Sequence, residues 1–474
     1  MKHLTRDFLL IALFITKIGF SQQPTIDSYK PVIEKVITYF NDKDYTSFYN
    51  LLSTEFKDVV TSMQIEQFLK STQTQCGNFK NTFLISDING LKKYKAEFEN
   101  NSLEMYLACN NAFQISGLRF KPYEEPVLEK KIFQSDNKKL TLLDLKVDSI
   151  VTEYMQNPIN AGLSVGIIQN GVTIFYHYGE TNKESKKTPN NATIYEIGSI
   201  SKTFTGLLLA KAIEDKKIKL DDDIRKYLPA LCNKLGYNNT PITINHLVTH
   251  TSRIPRVPEN LEQQLSYDSL NPYKNYTKEL VYQYLSTLQL DTIPGVIQEY
   301  SNTGMALLGI ILEKVYNQSY ESLIATYITI PLKMNNTLLN VLKLQKINFA
   351  TGYDSKGLET PHWDLNDFAG AGGIKSTISD MTLFLNENLN ETISYVRKSH
   401  TTLFKNTNKQ ATAFAWHKEP TKNGNTMIWH NGGTAGFTSF IGIIPNKKCG
   451  IVVLSNSGNG VDEIALDILR YVQY

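Results

Sequence analysis

Between residues 203 and 213 the chain nearly abandons polar side chains: Phe204, Leu207, Leu208, Leu209, Ala210 and Ile213 leave little room for a wet face. That spacing predicts a helix buried on most sides, entered from a turn at Gly198. Earlier, residues 26–52 carry helical spacing (Val32, Ile33, Val36, Ile37, Phe40, then Phe48, Leu51, Leu52), and a second helix is expected around 63–69. The period then shortens to two, predicting strands at 79–86, 91–98, 103–109 and 112–118. Helices followed by an antiparallel sheet describe a small α+β unit.

From residue 147 the pattern starts again. A helix ends before Asn157-Pro158, and strands at 162–169 and 172–178 are joined by the hairpin signal Asn170-Gly171. A long, mostly helical middle follows. Strands at 438–444 and 450–455 and a helix at 461–471 close the chain. The expected fold class is α+β multidomain, with one antiparallel sheet built from both ends of this segment, a helical lobe inserted between them, and a cleft between sheet and lobe.

Composition refines this plan. At 474 residues, more than one domain is expected. Residues 1–21 pair Lys2, His3 and Arg6 with the apolar run 8–16, too short to span a bilayer comfortably, so a cleaved secretory signal is expected. Residues 22–120 form the small α+β unit, 121–146 a linker rich in Pro and charge pairs, and 147–474 the larger domain. The mature chain is expected to be exported, periplasmic or secreted, without a stable membrane span. Removing Lys2, Arg6 and Lys17 against Asp7 takes the net charge from +3 to about +1, which argues against a nucleic-acid partner. Cys76, Cys109, Cys232 and Cys449 have no metal-cluster spacing. Cys76 and Cys109 could pair in an oxidising compartment, or stay buried thiols. No metal or cofactor is expected.

The candidate chemistry lies at the start of the apolar helix. Ser199 and Lys202 are three apart, hence on one face and about 5–6 Å apart at Cβ. A lysine pressed into apolar surroundings loses proton affinity, and a neutral amine beside a serine is a base beside a nucleophile. A second SxxK string, Ser135 to Lys138, falls in the polar linker, where nothing would deprotonate its lysine.

Residues from about 147 to 474 carry five strings in one order: Tyr195-Glu196-Ile197-Gly198-Ser199-Ile200-Ser201-Lys202, Asn245-His246-Leu247-Val248-Thr249-His250-Thr251-Ser252, Tyr300-Ser301-Asn302, Ala369-Gly370-Ala371-Gly372-Gly373-Ile374-Lys375-Ser376-Thr377 with Asp380, and His430-Asn431-Gly432-Gly433. This segment resembles the serine β-lactamase/penicillin-binding-protein superfamily, nearest to class C β-lactamases, D-alanyl-D-alanine carboxypeptidases, D-aminopeptidases and related esterases. Arg253 replaces the glycine usual after the second string. His430 stands where β-lactamases usually carry lysine. The N-terminal unit resembles, by its element order, the small cone-shaped α+β domains found fused to exported hydrolases.

The resemblance implies roles. Ser199 would be the nucleophile. Lys202 would take its proton, or hold Tyr300 as a phenolate that does so, since a phenol near two cations can titrate below its usual value of about 10. Asn302 would orient Lys202 and hold a substrate amide. The N–H groups of Ser199 and Gly433 would form the oxyanion hole. His430, titrating near neutrality, would be a weaker carboxylate anchor and a proton shuttle. The implied activity is hydrolysis of a small ester, amide or D-amino-acid peptide through an acyl-enzyme. A low-activity β-lactamase, a penicillin-binding D,D-carboxypeptidase and a non-catalytic binding module remain alternatives. The partner is a small molecule or short peptide, and no pattern sets an oligomeric state. His246 and His250, four apart, and Asp221-Asp222-Asp223 are expected to be structural. His362 and Trp363 are expected near the pocket.

Overall fold

The structure, a computed structural model, describes residues 27–88, 90–123, 131–341, 346–405 and 410–474. The expected signal segment lies outside them. The chain divides into two compact units at residues 128/129.

In the first unit, helices α1 (Lys30–Asn41), α2 (Tyr45–Asn50), α3 (Thr54–Lys57) and α4 (Ser62–Cys76) precede the meander β1 (Phe79–Ile88), β2 (Leu91–Phe98), β3 (Ser102–Cys109) and β4 (Ile115–Pro122), with strand order 1-2-3-4. Helical spacing across 26–52 runs through a break the periodicity does not show. Lys43 takes φ 58°, and Asp44 caps α2 by accepting from Ser47 N at 3.0 Å. The last strand starts three residues later than expected. Asn110 Oδ1 accepts from the N–H groups of Ala112 and Gln114, and Phe113 has φ 57°, so residues 110–114 are a turn. Phe40, Phe79, Phe98 and Phe120 knit the core through ring contacts of 4.4–6.4 Å. Cys76 and Cys109 are both free thiols, as are Cys232 and Cys449.

In the second unit, α5 (Leu142–Met155) leads into β5 (Gly162–Gln169), β6 (Val172–Gly179) and the short β7 (Ile194–Glu196). The lobe follows: α6 (Ser201–Glu214), α7 (Ile244–Val248), α8 (Lys278–Thr287), α9 (Asn302–Tyr316) and α10 (Tyr320–Ile324). Short strands β8 (Gly352–Tyr353) and β9 (Glu359–Thr360), helix α11 (Ala369–Gly372), strand β10 (Lys375–Thr377) and helices α12 (Ile378–Asn390) and α13 (Ser394–Ser399) lead back. The chain ends with β11 (Phe404–Lys405), β12 (Ala411–Thr412), β13 (His417–Pro420), β14 (Thr426–Gly433), β15 (Thr438–Ile444), β16 (Cys449–Ser455) and α14 (Asp462–Val472). Strands 11 to 16 and then 5 and 6, in that order, form one antiparallel sheet of eight, so both ends of the segment do build it.

The sheet has a core on each face. One is shared with α5 and α14 (Val151, Met155, Ile468, Val472); the other, much larger, joins α6, α9 and α12 (Phe204, Leu208, Leu308, Phe384). Residues expected as linker are partly attached: Gly179 N donates to Gln134 O at 2.8 Å and Asp136 N to His177 O at 3.2 Å, along the free edge of β6. The chain therefore leaves extended-linker behaviour before α5 begins. Among the described residues, no helix is long and apolar enough to cross a membrane.

Candidate active site

Ser199 sits in a single 3-10 turn (Gly198–Ile200) that runs straight into α6. The turn is pressed against β14, and this contact requires glycine. A Cβ on Gly432 would lie 2.1 Å from Ile197 O, and Gly198, at φ 49°, would place one 2.6 Å from Gly433 N. Ser199 and Gly433 are thereby brought to one site with their main chains close together.

Lys202 is wholly buried, and its Nζ lies 2.9 Å from Ser199 Oγ and 2.5 Å from the Ala371 carbonyl. Burial, helped by the neighbouring Arg256 guanidinium, holds the amine well below the usual ammonium range. The resemblance assigns Asn302 to orient Lys202, but the lysine is held by the Ala371 carbonyl, inside the glycine-rich stretch. Asn302 instead lines the cavity at Ser199, with Oδ1 buried and unpartnered.

Tyr300 and Asn302 are set by the second string and the loop that follows it. Arg256 O accepts from the N–H groups of Asn302 and Thr303 at 3.0 and 3.2 Å, supplying the open donors at the start of α9. Ser301 N donates to His250 Nδ1 at 3.1 Å, and the His250 ring lies 4.4 Å from that of Tyr300. Both Lys202 Nζ and the Arg256 guanidinium lie 4.9 Å from the Tyr300 ring centroid, so both groups lie over the ring, the guanidinium as the cation. The sequence expectation of a phenol lowered by two cations is reversed here. Burial outweighs Arg256 and pushes the Tyr300 phenol up to about 12.

His430 and Trp429 point to opposite faces of β14. Trp429 packs toward the core of α5 and α14, stacking on Phe440 at 5.7 Å. His430 is 1% exposed, 4.9 Å from the His417 ring. Its Nδ1 donates to Asn431 O at 2.6 Å, which leaves Nε2 as a buried acceptor without a partner. Burial, with His417 and Lys202 nearby, holds it well below the usual imidazole range. The expectation that it titrates near neutrality is thus corrected: His430 is a neutral imidazole at pH 7.

The other sequence candidates separate cleanly. His246 Nδ1 accepts from Thr243 N at 3.2 Å in the cap of α7, and Asp223 caps a short turn at Arg225 N. Ser135 and Lys138 are exposed. Trp363 lines the cavity, whereas His362 stacks on Phe349 at 3.6 Å. Among the described residues no cluster of three or more potential ligands could hold a metal ion. Sequence reasoning did not single out Arg256, Ala371, His417, Glu196 or Lys375. The visible signal for Glu196 was a charge inside an apolar run, at Tyr195-Glu196-Ile197, whereas Lys375, between Ile374 and Ser376, gave none.

The sequence profile of the Beta-lactamase family matches residues 147–473. Protein flp of Staphylococcus aureus (strain NCTC 8325 / PS 47) is 31% identical over 326 residues, covering 66% of this chain and 62% of its own. The chain thus spans about 62% of the length of that relative. A protein named Beta-lactamase from Pseudomonas fluorescens is 28% identical over 352 residues, covering 65% of this chain and 92% of its own. The crystal structure of a beta-lactamase/D-alanine carboxypeptidase from Pseudomonas syringae shares the fold, with a TM-score of 0.61 at 24% identity over 70% of this chain and 99% of that one. With the five strings in order, a buried Ser199–Lys202 pair and a match across most of its length, the chain belongs to the beta-lactamase family, a family of serine hydrolases.

Proposed function

We propose that the chain is an exported serine hydrolase that works through an acyl-enzyme on Ser199, on a small ester, amide or D-amino-acid-containing peptide. The observation that carries this is the 2.9 Å approach of a fully buried Lys202 Nζ to Ser199 Oγ. As a neutral amine, Lys202 gives one N–H to the Ala371 carbonyl and offers its lone pair to the serine hydroxyl. It takes the hydroxyl proton as Oγ bonds to the acyl carbon. The carbonyl oxygen then gathers negative charge beside the N–H groups of Ser199 and Gly433. Tyr300, a phenol at all physiological pH, returns a proton to the leaving group and is reprotonated through Lys202. Water, activated by the same pair, releases the acid. Asn302 Oδ1 accepts a substrate N–H, and neutral His430 serves as a hydrogen-bond acceptor.

A fluorophosphonate probe tests this directly. Labelling mapped to Ser199, lost in Ser199→Ala and strongly slowed in Lys202→Ala, is expected. No labelling of folded protein would sink the hydrolase reading and favour a binding module. The similarity to a protein named Beta-lactamase favours a second reading, low-level β-lactamase activity. Neutral His430 supplies no cation for a drug carboxylate, so nitrocefin turnover is expected to fall well below ester turnover.

A further inference from the structure

The main chain of Trp363 is held at both ends by one buried pair. Its N–H donates to Glu196 Oε1 at 2.6 Å, and its carbonyl accepts from Lys375 Nζ at 2.8 Å. Glu196 and Lys375 face each other across the β7–β10 ladder and are 3% and 5% exposed. The indole Nε1 donates to Leu270 O at 3.0 Å. Asn271 fixes the residues on either side, donating to His362 O at 3.2 Å and accepting from Asp364 N at 2.9 Å. The Trp363 ring meets Tyr273 edge-on at 5.9 Å, and Tyr273 in turn stacks on Phe368 at 4.9 Å. Swinging this wall outward therefore means breaking several hydrogen bonds together, two of them to the buried side chains of Glu196 and Lys375.

Against Ser199, Asn302 and Gly433 that wall leaves a cavity of about 30 Å³. One water needs roughly 10–15 Å³ of such space, and a cavity of about 150 Å³ takes benzene. The space that these walls leave directly beside the nucleophile is thus narrow, with Trp363, Tyr273 and Phe368 as its apolar limits. We infer that Trp363, pinned by Glu196 and Lys375, is the specificity-determining residue that limits the substrate to short acyl groups, of acetyl, propionyl or alanyl size. This rests on the hydrolase reading above.

The test is the ratio of kcat/KM for p-nitrophenyl acetate to that for p-nitrophenyl hexanoate, in the full chain and in Trp363→Ala and Trp363→Phe. The wild type should favour acetate by at least about tenfold, since each misfit methylene in an apolar pocket is worth about tenfold or more. Trp363→Ala should move the ratio toward the longer ester by about tenfold, with a smaller shift in Trp363→Phe, which keeps an aromatic ring if the alanine variant does not fold. Fluorophosphonate labelling at Ser199 certifies each variant. A flat chain-length profile in the wild type, or an unmoved ratio in a variant that labels normally, overturns the inference and leaves the hydrolase reading standing. No turnover of either ester together with no labelling removes both.

Discussion

Arg253 Nη1 lies 2.7 Å from a carboxylate oxygen of Glu299, the residue immediately before Tyr300. The same guanidinium pairs with Asp291, at 2.9 Å through Nε and 2.5 Å through Nη2. Arg253 has a left-handed backbone, at φ 63°, and uses its side chain to tie the loop before α9. Its partners are largely exposed, so the pairs are screened and add little stability. Arg253→Met should lower Tm by no more than about 4 °C, but reduce kcat several-fold by loosening Tyr300. Arg253→Gly relieves the left-handed backbone and should match the wild type in Tm while showing the same loss of kcat. Thermal melts beside steady-state kinetics separate the two effects, and equal kcat in all three proteins would refute the positioning role.

Arg256 lowers the proton affinity of Lys202, so its removal has a definite sign. In Arg256→Met the amine should hold its proton to higher pH. The acid limb of the kcat/KM–pH profile, which reports the coupled Lys202–Tyr300 unit, should then move to higher pH. A limb that stays in place or moves down would show that Lys202 does not govern it.

Tyr300 stays protonated up to about pH 12, so it should contribute no alkaline limb in the physiological range. Tyr300→Phe keeps the ring between Lys202, Arg256 and His250 but removes the proton donor. A loss in kcat of about 10²–10⁴ is expected, larger for amide than for activated p-nitrophenyl esters, whose leaving group needs no proton. Equal losses on both substrates would count against the donor role.

Burial pushes the Glu196 carboxyl up to about 7 from the usual 4.5. The folded state therefore holds a proton that the unfolded chain releases. The resulting stability is present in full below pH 4.5 and is lost as pH rises through about 7. Melting curves from pH 4.5 to 8 should show the wild type losing Tm across that window, with a shallower slope in Glu196→Gln, whose side-chain oxygen can still accept from Trp363 N–H. Parallel slopes would rule out Glu196 as the titrating group.

Gly432→Ala should be the costliest small substitution at the site. The added methyl would need space occupied by Ile197 O, Ser439 Oγ and, at 3.0 Å, Ser199 N. Separating β14 from the nucleophile turn displaces the Gly433 donor, and loss of one oxyanion donor costs about 10²–10³ in kcat. Retained kcat in soluble protein would show that the oxyanion is held elsewhere.

The chain's local patterns reach quite far. A run such as 204–213, with no polar stripe, has only one comfortable place, inside a core, and α6 lies there. The alternation and Asn170-Gly171 turn define the β5–β6 hairpin because turn geometry sets register within a few residues. Gly198 marked the turn into α6, but its close approach to β14 shows only in the folded chain. Breaks made by side-chain capping, such as Asp44 before α2, were invisible because periodicity does not register them.

By itself, then, the sequence determined the order of the elements, the family and the Ser199–Lys202 pair proposed as nucleophile and base, because these depend on spacing along the chain. Only the tertiary structure decided which groups surround them. That Lys202 is held by Ala371 O, that Tyr300 stays a phenol, that His430 stays neutral and that Glu196 and Lys375 clamp Trp363 are consequences of burial and of contacts between residues far apart in the chain, 169 positions for Lys202 and Ala371. Desolvation depends on everything packed around a group, so proton affinities at this site belong to the fold and not to any stretch of it.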